Sequence, residues 1–271
     1  MPTRNDDLWR NFDSTFEIKP ADDDSSKTTP SDRFRPTSAD NRQILLVLFV
    51  VDASGSMSGR RIAMVNNAIE NILSELRRRD DFNAIFKVDI LKFCEDAAWV
   101  TPQPIPVKDF MFSRLNTQLQ FTSYAPAFDA LDEKLSRKAF MNYNLGDYFA
   151  PLILFISDGE PTDPDVYPKA LERLRQNPCF KKAVKYAVAV GEECKYSDTI
   201  RVLSDFSGDE RHVRHADEGE ALCSLLEFIT LRASEIQTSM TSDTSEGRKS
   251  PNWAEVFDDK DKSLFDSMFR M

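Results

Sequence analysis

Ile44-Leu45-Leu46-Val47-Leu48-Phe49-Val50-Val51 runs without a polar interruption into Asp52-Ala53-Ser54-Gly55-Ser56. An apolar run of that length, rich in branched side chains, suits a strand buried on both faces of a parallel sheet. From Arg60 to Arg79, Ile62, Val65, Ile69, Ile72, Leu73 and Leu76 recur at helical spacing and predict one apolar stripe. Strand, tight polar turn and helix therefore follow one another. In open α/β sheets ligands bind in the crevice at the carboxyl ends of the strands. This turn carries one carboxylate and two hydroxyls at alternate positions. They are hard oxygens, suited to a hard divalent cation.

Working outward, Leu152 to Ser157 is a second buried-strand run, and it ends in Asp158-Gly159-Glu160-Pro161-Thr162-Asp163. A carboxylate again stands at a strand's exit, and a helix is expected over 165–175. Ala183 to Val190 reads as a third such strand, closed by Gly191, with a short helix over 198–205. His212 to His215 is a shorter, more polar strand expected near an edge. Leu222, Leu225, Leu226 and Ile229 predict an amphipathic helix over 218–234. Between the first unit and the second, Phe86–Phe93 and Ala97–Val100 flank Cys94-Glu95-Asp96 and predict a hairpin, with one antiparallel strand at a sheet edge. Thr101 to Pro106 reads as an extended loop and Phe110 to Leu115 as a short helical turn. In Phe121-Thr122-Ser123-Tyr124-Ala125-Pro126-Ala127-Phe128, Thr122 is the expected helix N-cap, with Pro126 in the first turn. Strands alternating with helices give an α/β class: a doubly wound, mainly parallel sheet with one antiparallel edge strand and helices on both faces.

Composition bounds the function. The 271 residues carry a formal charge of −10, which argues against broad binding to nucleic acid or to an anionic membrane surface. Cys94, Cys179, Cys194 and Cys223 show no metal-ligand spacing and read as free thiols. Residues 1–40 lack an apolar signal core, and no run approaches a membrane span, so a cytoplasmic protein is expected. Residues 1–40 are rich in Asp, Ser, Thr and Pro and read as mostly disordered, apart from Leu8, Trp9, Phe12 and Phe16 at helical spacing. The folded domain is expected over 41–237. A polar linker and an amphipathic tail with Trp253, Phe257, Phe265 and Phe269 fill 238–271.

Asp52-Ala53-Ser54-Gly55-Ser56 after one buried strand, Thr122 on its loop, and Ser157-Asp158-Gly159 after another resemble the von Willebrand factor A (vWA) domain family. The three pieces, over about residues 42–236, look like that family's metal-ion-dependent adhesion site (MIDAS). Asp158-Gly159-Glu160-Pro161-Thr162-Asp163 and Val190-Gly191-Glu192-Glu193-Cys194 look most like the bacterial tellurite-resistance-associated members. Phe121 stands where the family often has glycine. The resemblance implies a Rossmann-like vWA fold. It also implies a divalent cation held by Asp52, Ser54, Ser56, Thr122 and Asp158, and a partner protein whose Asp or Glu completes the coordination. It suggests a scaffold in a bacterial stress-response or defence complex, with a kinase or phosphatase as partner.

The residues support the same chemistry directly. Three neutral hydroxyls and few carboxylates would leave Mg²⁺, Mn²⁺ or Ca²⁺ electron-poor and open to an acidic oxygen. Glu160 and Asp163 read as a solvated rim, His212 and His215 as surface or structural groups, and Arg77-Arg78-Arg79 as cations favoured at a helix C-terminus. Two other functions fit the pattern less well. A haloacid-dehalogenase-type phosphohydrolase also opens on an apolar strand ending in Asp. It needs a second Asp two residues on, where this chain has Ser54. A regulatory domain acting mainly through its terminal aromatic segments is the other.

Overall fold

In this computed structural model the apolar run is the central strand β1 (Gln43–Asp52), buried along almost its whole length. The structure describes residues 43–79, 84–136, 148–159, 161–191 and 197–216, together with 218, 219, 222–224, 226 and 230. The two terminal segments, Glu160, Cys194 and most of the expected helix over 218–234 lie outside them.

Helix α1 (Arg60–Arg79) follows β1, and strand β2 (Ala84–Phe93) returns parallel to it. Strand β3 (Ala97–Trp99) turns back antiparallel on the outer edge of β2. A two-residue strand, β4 (Ile105–Pro106), pairs antiparallel with β2 beside it. Then come α2 (Tyr124–Lys134), β5 (Leu152–Ser157), α3 (Tyr167–Gln176), α4 (Pro178–Lys182), β6 (Val184–Val190), α5 (Ser197–Ser207) and β7 (Val213–Ala216). The sheet order is β3-β2-β1-β5-β6-β7, with β5, β6 and β7 parallel to β1. The sheet is thus mixed and mostly parallel, as the alternation of strands and helices requires.

Period-two alternation in β1 divides the core. Leu45, Val47, Phe49 and Val51 face Val65, Ile69, Ile72 and Leu76 of α1. Leu46, Leu48 and Val50 face the layer of α2, α3 and α5, through Tyr124, Phe128, Leu131, Leu171, Leu174 and Phe206. Leu222 and Leu226 join the α1 side. The chain leaves β1 towards β2 and later returns to β5 on the other side of β1, so the carboxyl ends of β1 and β5 adjoin at the switch point where such sheets hold ligands. Among the described residues no helix is long and apolar enough to cross a membrane.

Two local expectations fail. Residues 101–106 are not all loop, because Ile105 and Pro106 add to the sheet edge, where a missing N–H costs no ladder bond. Residues 110–115 form no helical turn. Phe110 and Leu115 are buried anchors, and side chains of α1 satisfy the backbone that a helix would otherwise satisfy. Arg77 donates to the carbonyls of Val107 and Phe110 (3.1 and 2.7 Å). Asn66 donates to Leu115 O (3.0 Å) and accepts its N–H (2.8 Å). Arg77 is thus a tether for this segment more than a dipole charge, while Arg78 and Arg79 pair with Glu75.

Asn66→Ala should cost about 1–3 kcal/mol, because it strands both buried polar groups of Leu115. A lower urea midpoint with an unchanged m-value is the expected result. An unchanged midpoint would show that water takes over both bonds.

Candidate metal centre

Asp52 is the last residue of β1 and is fully buried. Its Oδ1 accepts the Ser54 N–H (2.9 Å) and its Oδ2 accepts the Ser157 hydroxyl (2.6 Å). The turn that follows, a single 3₁₀ turn over Gly55–Met57, brings the Ser54 and Ser56 hydroxyls to 3.0 Å. Ser56 donates to Asp158 Oδ1 (2.8 Å), so Ser54 is the donor to Ser56. Asp158 follows directly on β5. Its Oδ2 accepts from Arg61 (2.7 Å), which also donates to the Ser56 carbonyl (3.0 Å). Asp52, Ser54, Ser56 and Asp158 therefore form one hydrogen-bonded array across the carboxyl ends of β1 and β5.

Thr122 is brought to the same turn by backbone bonds. Gln118 N donates to Ala53 O (2.8 Å) and Gly55 N to Gln120 O (3.1 Å). The Thr122 carbonyl accepts both the N–H and the hydroxyl of Thr162 (2.7 and 2.9 Å). The residue is buried, and its own hydroxyl makes no hydrogen bond among the described residues. Phe121 does not close the loop over it, since its side chain is 70% exposed.

Both carboxylates are desolvated. Burial pushes Asp52 up to about 6, against the hydrogen bonds from Ser157 and Ser54, and nearby Asp158 adds to the rise. Burial also raises Asp158, opposed by Ser56 and Arg61. Two buried acids and three hydroxyls make an all-oxygen donor set, which suits a hard cation. Among the described residues no cluster of three His, Cys, Asp or Glu offers a site of another kind.

The expected helix cap is corrected. Ser123, not Thr122, stands at the N-cap of α2, and it makes no side-chain bond there. The first turn is capped by Asp163, whose two oxygens accept the N–H groups of Tyr124 and Ala125 (3.0 and 2.9 Å). Asp163 is therefore a structural cap and not a solvated rim. Ser157, Arg61 and Tyr124 were assigned no role from the sequence. The Tyr124 hydroxyl lies 2.7 Å from the Gly159 carbonyl and 3.0 Å from Ser157 Oγ, supporting the serine that holds Asp52. The one local signal is Ser157 itself, a polar residue ending an apolar run. His215 Nε2 lies 2.7 Å from the Gly191 carbonyl, and His212 packs on the Tyr186 ring (4.8 Å).

No protein-family model matches the chain. The vWF domain of the type V pili tip protein Mfa5 from Porphyromonas gingivalis superposes with a TM-score of 0.53 at 8% identity, covering 78% of this chain and 99% of that one. The fold is that of a vWA domain. A second structural neighbour is proximal thread matrix protein 1 from the mussel byssus, described with a zinc-occupied MIDAS motif. Its TM-score is 0.51 at 12% identity, over 69% of this chain and 47% of that one. By sequence, human inter-alpha-trypsin inhibitor heavy chain H4 is 25% identical over 203 residues, 72% of this chain. The present chain spans 21% of that relative's length.

Proposed function

We propose that the chain is a metal-dependent protein-binding module, in which a divalent cation held by Asp52, Ser54, Ser56, Thr122 and Asp158 captures an Asp or Glu side chain of a partner. The observation that carries this reading is the hydrogen-bonded array from Asp52 to Asp158, with the Thr122 hydroxyl, unpartnered among the described residues, on the adjoining loop. A bound cation would set positive charge beside buried Asp52, which accepts from Ser54 and Ser157, and would offer an open position for an acidic oxygen. Mg²⁺ suits this set of hydroxyls and carboxylates, since it binds through few carboxylates and keeps several waters.

Catalysis of the phosphohydrolase kind fits poorly. Both Asp52 oxygens are engaged by Ser54 and Ser157, so the carboxylate is not presented as a nucleophile. The finer reading is a cytoplasmic scaffold in a bacterial stress-response or defence complex, with a kinase or phosphatase as partner. It is supported by the sequence resemblance. Its partner-binding role would need the cation and not the terminal segments.

The test is thermal unfolding with and without Mg²⁺. At a hundred times its dissociation constant the ion should stabilise the fold by about 2.7 kcal/mol, and chelator should reverse the gain. Ser54→Ala and Thr122→Ala should each weaken the response. A melting curve indifferent to Mg²⁺, Mn²⁺ and Ca²⁺ would sink the proposal.

A further inference from the structure

The loop that carries Thr122 holds two large apolar side chains in the open. The side-chain oxygens of Gln118 and Gln120 lie 3.0 and 2.7 Å from the Cys94 thiol, and Thr122 is buried. Leu119 and Phe121, the alternate positions, are 95% and 70% exposed. Large exposed apolar groups at one spot mark an interaction surface. Their location is fixed by the cage. Leu119 Cα lies 3.7 Å from where a Cβ on Gly55 would stand, and Gly55 separates Ser54 from Ser56. Phe121 adjoins Thr122 and is steadied by its N–H on Glu95 (3.4 Å). On the far side of the cage, Arg61 holds Asp158 and adds a positive charge.

We propose that Leu119 and Phe121 form an apolar collar to the cation site, and that the collar selects a partner segment whose Asp or Glu is flanked by large apolar side chains. This rests on the function proposed above. It names the ligand more closely: the cation and Arg61 favour a carboxylate, and the collar favours the residues beside it. An acidic side chain on a wholly polar loop would satisfy the metal and leave Leu119 and Phe121 in water. The collar thus sets which acidic residues are recognised.

The experiment uses the full chain on a peptide array with Mg²⁺. Each peptide has a central Asp, flanked by Ala, Leu or Phe, with an Asn-centred control. A peptide of residues 251–271 is included, because Phe257-Asp258 and Phe265-Asp266 fit the same rule. Asp peptides with Leu or Phe flanks should bind at least about tenfold tighter than the Ala-flanked one, since a well-buried side chain is worth that much. Leu119→Ser and Phe121→Ser should lose that preference. Their thermal response to Mg²⁺ reports whether fold and cation site stay intact. Equal binding of Ala-flanked and apolar-flanked Asp peptides would overturn the collar and leave the metal-dependent reading standing. Binding that ignores Mg²⁺ or the Asp-to-Asn change would overturn both. Capture of the 251–271 peptide above all others would replace the foreign partner with the chain's own tail.

Discussion

Asp52→Asn should make the metal-free protein more stable at pH 7 and abolish its response to Mg²⁺. The two effects share one cause. Asp52 titrates near 6 in the fold, against 3.8 for an ordinary Asp, because burial disfavours its charge. The folded state then holds this proton more tightly than the unfolded state does. The contribution of Asp52 to stability is therefore most favourable below about pH 4, falls as pH rises, and levels off above about 6. The difference between 3.8 and about 6 corresponds to about 3 kcal/mol at neutral pH. Asp158, raised in the same direction, adds to the slope. Asn at position 52 keeps an acceptor for the Ser54 N–H and removes the buried charge. Calorimetry from pH 4 to 8 should show the wild-type slope flattened in the variant, with a gain of up to about 3 kcal/mol at pH 7. With saturating Mg²⁺ the order should reverse, because only the wild type is stabilised. A variant less stable than wild type in metal-free buffer at pH 7 would show that the Ser157 hydrogen bond outweighs desolvation. Stability given up at a site for the sake of its ligand is a common trade.

This pair of effects also explains which parts of the molecule could be read early. β1, β5 and β6 are buried on both faces, so composition and run length alone mark them. Asp52 and Asp158 stand out because each ends such a run. The array between them was foreseeable from the spacing of Ser54 and Ser56, since a turn presents alternate side chains together. Asp163 was misread for a physical reason. It caps α2 from across the molecule, 39 residues from Tyr124, and nothing local distinguishes such a cap from a solvated carboxylate. The segment 110–115 was misread likewise. Its backbone partners are Asn66 and Arg77 on α1, so its conformation is set by side chains outside any local window. The collar lay in plain view as Leu119 and Phe121. Nothing local shows that both side chains are left exposed, since the backbone bonds that place this loop run to Ala53 and Gly55.

Lys134→Met should be the most destabilising single change outside the candidate metal centre. Asp89 lies within the run 86–93, which was read simply as strand, and it is fully buried on β2. Its Oδ2 is 2.9 Å from Lys134 Nζ. Its Oδ1 accepts from the N–H of Ile90 and from the N–H and hydroxyl of Thr101 (2.9, 3.2 and 2.8 Å). The ammonium also donates to the carbonyls of Pro102 and Thr101 (2.8 and 3.3 Å) and lies 4.3 Å from the Trp99 ring centroid. The pair thus ties α2 to β2 and to the loop after β3. Two charges taken out of water add little net stability, yet removing one strands the other, at about 3–5 kcal/mol. That is a large share of the 5–15 kcal/mol typical of a domain. Urea unfolding should show this loss in Lys134→Met. Adding Asp89→Asn should recover much of it, because Asn keeps an acceptor for Thr101 without the charge. If the double variant is no better than the single one, the loss comes from the freed carbonyls of Thr101 and Pro102 and not from the buried carboxylate. The Mg²⁺ response should survive in both variants, since the pair makes no hydrogen bond to Asp52, Ser54, Ser56, Thr122 or Asp158. Stability and cation binding would then be seen to rest on separate polar networks of the same sheet.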